Sequence, residues 1–137
     1  RNDRSLLPQT IEEALRLEPP LLFVMRTAID DVEVEGVTIP GGCQVGVSMG
    51  AANRDPSRWA DPDVFDIHRP QVQHISFAAG PHLCLGTHLA RMETTVAIER
   101  VLDRLPNLRL DPSAEDVHIH GLTFRSPTSL PVLFDPS

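Results

Sequence analysis

Phe77-Ala78-Ala79-Gly80-Pro81-His82-Leu83-Cys84-Leu85-Gly86-Thr87-His88-Leu89-Ala90-Arg91 is the stretch on which the reading of this chain turns. It sets one cysteine in a glycine-bounded loop immediately before a long helical pattern. The N–H groups and dipole at a helix N-terminus favour negative charge. A thiol placed there gives up its proton more readily, and the thiolate is the form that binds metal. Gly80 and Gly86 permit tight turns and let a flat group approach the backbone. Phe77 is placed to pack beside such a group or beside the sulfur.

Downstream, residues 87–105 read as the longest helix. Leu85, Leu89, Met92 and Val96 mark one apolar face, continued by Val101, Leu102 and Leu105, and this stripe is expected to be core. His88, Arg91, Glu93, Glu99, Arg100 and Arg104 fall mostly outside it, and Pro106 ends it. Leu108–Leu110 and Leu130–Phe134 read as strands, and His118 and His120 alternate on another, exposed piece.

Upstream, Leu7–Leu17 reads as a short helix with Pro8 in its first turn, where a missing N–H costs nothing. Leu7, Ile11 and Leu15 form its buried stripe. Pro19-Pro20 stops it. Val32, Val34, Val37 and Ile39, interrupted by acidic residues and Gly36, predict a hairpin. Pro40-Gly41-Gly42 is a turn, and Val45 and Val47 give a further strand. Residues 51–80, rich in Pro, Asp, Arg and Asn, are expected to be irregular with short helical turns. No repeat and no second domain is visible, so residues 1–137 are read as one unit.

Composition restricts the function classes. The chain has 137 residues, 41% hydrophobic and 23% charged, the balance of a soluble globular domain. Net charge is −7 with scattered Lys and Arg, which argues against nucleic acid. No apolar run is long enough for a membrane. Two cysteines, Cys43 and Cys84, make a disulfide framework improbable and point to a reducing, cytoplasmic setting. Cys43 is read as packing. The start Arg1-Asn2-Asp3-Arg4 carries no initiator Met or signal pattern, and suggests a fragment or processed chain.

The pattern Phe77-x-x-Gly80-x-His82-x-Cys84-x-Gly86 resembles the haem-binding loop of cytochromes P450 of the soluble bacterial kind. Other segments agree in the family's order. Glu13-Ala14-Leu15-Arg16 resembles its Glu-x-x-Arg helix. Arg26-Thr27-Ala28 with Gly36 and Ile39-Pro40-Gly41-Gly42 resembles the following strand and hairpin. Ala52-Asn53-Arg54-Asp55-Pro56, Phe65-Asp66-Ile67-His68-Arg69-Pro70 and Leu130-Pro131-Val132 resemble later segments. Ala78 stands where the family often has Gly, and Ser126 follows Arg125 where Gly is usual.

The resemblance implies the α+β C-terminal part of the P450 fold, with two main helices and short antiparallel strands. It implies haem b (iron protoporphyrin IX) as cofactor. Cys84 would be the proximal iron ligand, whose electron donation favours O–O cleavage. His82 and Arg26 would bind the propionates, with Phe77, Gly80 and Gly86 completing the loop. Glu13, Arg16 and Arg69 would form a buried cluster. Phe23, Val24, Met25 and Leu122 to Phe124 would line the substrate side.

A ferredoxin-like or flavin donor would supply electrons to a monooxygenase acting on a small organic substrate, docking near the helix that begins at Thr87. The family's central helix with its proton-delivering acid and threonine, and most of the distal roof, are not matched. The chain alone is therefore expected not to hydroxylate efficiently. Apolar surface that would face the unmatched portion is expected to find a second copy or a partner chain.

Rival readings exist for each feature. Cys84 could be an ordinary buried thiol or a nucleophile with a histidine base. His74, His82, Cys84 and His88 could hold zinc, although such sites usually carry paired cysteines. Glu13 and Arg16 could be a surface pair worth about 0.2–0.5 kcal/mol, or Glu13 could close a capping box with Thr10. The chain as a whole could be a non-enzymatic haem-binding or self-associating module.

Overall fold

The structure is a computed structural model that describes residues 3–70, 73–115 and 117–136. Residues 71 and 72, inside the stretch expected to be irregular, lie outside the described residues. Helix α1 spans Leu7–Leu17 and follows a 3-10 turn, Arg4–Leu6. Asp3 caps that turn by accepting from the Ser5 amide. Pro8 lies in the first turn of α1, as the sequence predicts. Thr10 donates to the Leu6 carbonyl one turn back at 2.8 Å, so it is not a helix cap and forms no capping box with Glu13.

Strand β1, Phe23–Thr27, pairs antiparallel with β4, Gln44–Ser48, with Arg26 opposite Val45. Between them β2, Val32–Val34, and β3, Val37–Ile39, form the expected hairpin. Its two turn residues, Glu35 and Gly36, both have positive φ (50° and 77°), the twist that suits a two-residue hairpin loop. Helix α2, Met49–Ala52, follows β4 and is capped by the Ser48 hydroxyl. A long irregular stretch then leads to a 3-10 turn at Gly80–His82 and to helix α3, Thr87–Arg104. The tail pairs β5, Arg109–Leu110, with β8, Val132–Leu133, and β6, Ile119–His120, with β7, Ser126–Pro127.

Helices α1 and α3 pack together. The core at their junction is small and unusually polar. Leu7, Ile11, Met49 and Trp59 are its buried apolar residues, and Glu13, Arg16, Asn53, His74 and Thr87 are buried with them.

Three sequence expectations are corrected. The stripe Leu85, Leu89, Met92 and Val96 is exposed rather than core; Met92 is 59% accessible. The side of α3 that faces inward carries Thr87, Arg91, Thr95, Ile98 and Leu102 instead. Periodicity identifies an apolar face, but a face becomes core only if something covers it. Cys43, read as packing, is also exposed, because it lies in the loop between β3 and β4 and not on a packed face. His118 is exposed as expected, while His120 is half-buried with its ring 3.8 Å from that of His118. The accessible surface is 9834 Å². A compact protein of this mass would show roughly 7,100 Å², so a large area is left without a covering layer.

Candidate functional site

The Cys84 loop is closed by its own backbone. The Cys84 amide donates to the Phe77 carbonyl at 2.9 Å, Ala78 donates to Ile75 at 2.8 Å, and Leu83 to Gly80 at 3.0 Å. Gly80 takes a positive φ of 65°. Ala78, the residue that departs from the family pattern, does so as well, at 61°. An L-residue pays for that conformation where glycine does not. Gly86 caps α3, so no side chain closes the head of the helix, where the Thr87 amide donates to the Cys84 carbonyl at 3.3 Å.

The Cys84 thiol is exposed. It is therefore not an ordinary buried thiol. A Cβ placed on Gly86 would stand 3.8 Å from its sulfur, in ordinary van der Waals contact. Among the described residues no group of three or more His, Cys, Asp or Glu lies close enough to hold a metal ion, which speaks against zinc held by His74, His82, Cys84 and His88. A single exposed thiol at an open helix N-terminus fits a metal that arrives with its own equatorial ligands, as haem iron does.

His82 and Arg26, the two propionate candidates, are both exposed, and Arg26 donates to its neighbour's carbonyl on Met25 at 2.8 Å. Phe23 and Val24 are half-buried on β1, and Met25 is exposed. Leu21 bridges Phe124, and the Leu22 amide donates to Thr123 at 2.9 Å. The 121–125 turn is thereby held against the start of β1, which brings Leu122 and Phe124 near Phe23.

Beneath the loop lies an ion cluster. Glu13 and Arg16 form a two-bond fork, both contacts 2.8 Å. Arg16 also donates to the carbonyls of Asn53 (2.8 Å), Pro62 (2.7 Å) and Val64 (3.2 Å). Its guanidinium lies over the Trp59 ring, 5.2 Å from the centroid. Arg69 reaches the same Glu13 oxygen at 3.1 Å and donates to the carbonyls of Ala60, Asp61 and Val64. The Asp66 amide adds a bond to Glu13 at 3.0 Å. Burial alone would raise the Glu13 carboxyl; the bonds from Arg16, the Asp66 amide and Arg69 override it and hold the group at about 2.

Sequence reasoning passed over the residues that join this cluster to the loop. Asn53 accepts from the Ile75 amide at 2.9 Å and donates to Ser76 at 2.8 Å, and Ser76 donates to the Leu15 carbonyl at 2.7 Å. The Ser76 amide donates to Nδ1 of His74 at 3.2 Å, which leaves Nε2 to carry the proton and donate to Glu12 at 3.1 Å. Arg91 clasps Glu12 at 2.6 and 2.8 Å, donates to Thr87, and lies over the Phe77 ring at 4.6 Å. The contacts that tie Asn53 to Ile75 and Ser76, Ser76 to Leu15, His74 to Glu12 and Arg91 to Glu12 join residues about 20–80 positions apart, so no local pattern announces them. The one signal is that Asn53 falls inside a segment that resembles the family; Arg91 lies beyond the loop pattern, which ends at Gly86.

A thiol-bearing loop before a helix, braced by a buried Glu–Arg–Arg cluster, defines the class of protein in which the comparisons place this chain. The family model described as Cytochrome P450 matches residues 1–121. The chain belongs to the cytochrome P450 family. It is 44% identical over 98% of its length to the biotin biosynthesis cytochrome P450 of Bacillus subtilis, of which it covers 34%. It is 42% identical over 98% of its length to 6-deoxyerythronolide B hydroxylase of Saccharopolyspora erythraea, again covering 34%.

Among solved structures it superposes on P450BioI in complex with an acyl carrier protein carrying hexadec-9Z-enoic acid. That match has a TM-score of 0.90 at 43% identity and covers 98% of this chain and 34% of that one. CYP109E1 from Bacillus megaterium in complex with testosterone matches with a TM-score of 0.93 at 34% identity, covering 98% and 37%. The chain thus spans about a third of the length of the relatives it matches. The family implies a haem cofactor, and no helix among the described residues is long and apolar enough to cross a membrane.

Proposed function

We propose that this chain is the haem-thiolate-bearing portion of a cytochrome P450 monooxygenase, with Cys84 as the iron ligand of haem b. The observation that carries the reading is the exposed Cys84 thiol at the open head of α3, in a loop pinned to Phe77. Bound haem would supply reductive activation of dioxygen for insertion of one oxygen atom into a small organic substrate. Cys84 would hold the iron as thiolate. His82 and Arg26 would donate to the propionates, and Phe77, Gly80 and Gly86 would shape the loop. Glu13, Arg16 and Arg69 would hold its foundation rigid. Phe23, Val24, Met25 and Phe124 would face the substrate.

A ferredoxin-like or flavin donor would deliver electrons in a cytoplasmic setting. Alone, the chain would not hydroxylate efficiently, since the portion carrying the proton-delivery residues of its relatives is not matched in it. The test is the absorption spectrum after haem addition, reduction and exposure to carbon monoxide. A strongly red-shifted Soret band that vanishes in Cys84→Ala supports the reading. Retained haem with the same band in Cys84→Ala overturns it.

The second reading, a self-associating module without activity of its own, is favoured by the exposed stripe of α3 and the large accessible area. Light scattering at high concentration distinguishes them: a clean monomer counts against self-association.

A further inference from the structure

Phe77 is the point where two sets of contacts meet. Its carbonyl accepts the Cys84 amide at 2.9 Å, so its backbone fixes where the thiol-bearing residue begins. Its ring lies 4.6 Å under the Arg91 guanidinium. Arg91 is itself held by both oxygens of Glu12, at 2.6 and 2.8 Å, and by Thr87 one turn earlier in α3. Two helices thus grip one guanidinium, whose central carbon lies over the ring of the residue that closes the loop.

An ordinary half-exposed ion pair contributes about 0–1 kcal/mol and positions nothing. Two features separate this one. The fork-to-fork geometry fixes the plane of the guanidinium, not only its charge. Glu12 is also fixed from a second side, by Nε2 of His74, whose other nitrogen takes the Ser76 amide. The segment entering the loop is therefore tied to the carboxylate that aims Arg91. On α1, Glu13 serves Arg16 and Arg69 while its neighbour Glu12 serves the loop.

We infer that Arg91, aimed by Glu12, is a positioning residue that presets the Cys84 loop by clamping the ring of Phe77. This rests on the reading of Cys84 as the ligand for its functional meaning. Its test, however, needs no haem.

Amide hydrogen exchange of the full chain is measured for Arg91→Lys, which keeps the charge but not the flat fork, for Phe77→Leu, and for the double variant. The Cys84 and Ala78 amides should exchange about five- to tenfold faster in each single variant. Amides within α1 should change by less than about twofold, and the double variant should add nothing to either single one. Unchanged exchange at Cys84, equal acceleration across α1 and the loop, or additive effects would each overturn the clamp. If Arg91→Lys does not fold, Glu12→Gln takes its place with the same expectations. A wild-type loop protected by the clamp, with the red-shifted Soret band retained in Cys84→Ala, would refute the ligand reading and leave the clamp standing.

Discussion

Replacing Glu13 by Gln removes one carboxylate and strands the charge it serves. Arg16 is 1% accessible and Glu13 5%. In the variant the guanidinium keeps the carbonyls of Asn53, Pro62 and Val64 but loses both charged acceptors, and Arg69 loses its one carboxylate contact in this cluster. Breaking a buried pair by removing one partner costs about 3–5 kcal/mol.

The titration of Glu13 gives a separate check. A carboxyl held at about 2 instead of its ordinary 4.5 corresponds to about 3 kcal/mol before solvent screening. A cavity of about 420 Å³ borders Glu13 and Arg16, so water reduces that figure, and roughly 3 kcal/mol is the loss expected. For a chain of this size that is a fall in Tm of about 10 °C. The sign with pH follows from the depressed value. The stabilisation is complete above about pH 4.5 and is lost as pH falls toward about 2, so Glu13→Gln should flatten the acid limb of stability.

The assay is thermal unfolding followed by tryptophan fluorescence. Trp59 is the one tryptophan in the chain and lies under Arg16, so the signal comes from the cluster itself. A Tm within about 2 °C of wild type at neutral pH would refute the claim that this pair braces the fold.

Ala78→Gly should stabilise the protein by up to about 1 kcal/mol, because residue 78 has a φ of 61° that glycine adopts freely; a loss of stability in urea unfolding would contradict this. Gly121→Ala should open the turn that holds Phe124 to Leu21, since the new Cβ would fall 1.9 Å from the Phe124 carbonyl oxygen at a φ of +99°. Faster exchange confined to residues 119–127 would be the signature, and unchanged protection there would count against it. His74 is pushed below its ordinary 6.5 by burial, against the pull of Glu12 and with help from Arg91 and Arg16. Its unfolded form therefore takes up the proton first, and stability should fall as pH drops below about 6.5. His74→Gln should lessen that slope, and an identical slope in the variant would show that other groups set it.

Local chemistry wrote much of this protein plainly into its sequence. Pro8, Pro19-Pro20 and Pro106 bound the two main helices because proline's missing N–H and fixed φ act on its immediate neighbours. Glu35-Gly36 sets the hairpin for the same short-range reason. The Gly80 to Gly86 loop with Cys84 is legible because its tight turns, its thiol and the helix that follows are all contiguous. The spacing of three between Glu13 and Arg16 reads locally as a helix-face ion pair; its burial with Arg69 comes from the resemblance and not from the spacing.

Tertiary structure decided the rest. Glu12 gained its partner from α3, and Asn53 joined Arg16 to Ser76, through contacts spanning tens of residues that no periodicity encodes. The same holds for α3. Its apolar stripe at Leu85, Leu89, Met92 and Val96 has the right spacing for a core, yet Thr87, Arg91 and Thr95 face inward. The pattern specifies which side of a helix is apolar, but burial depends on what else in space can cover that side.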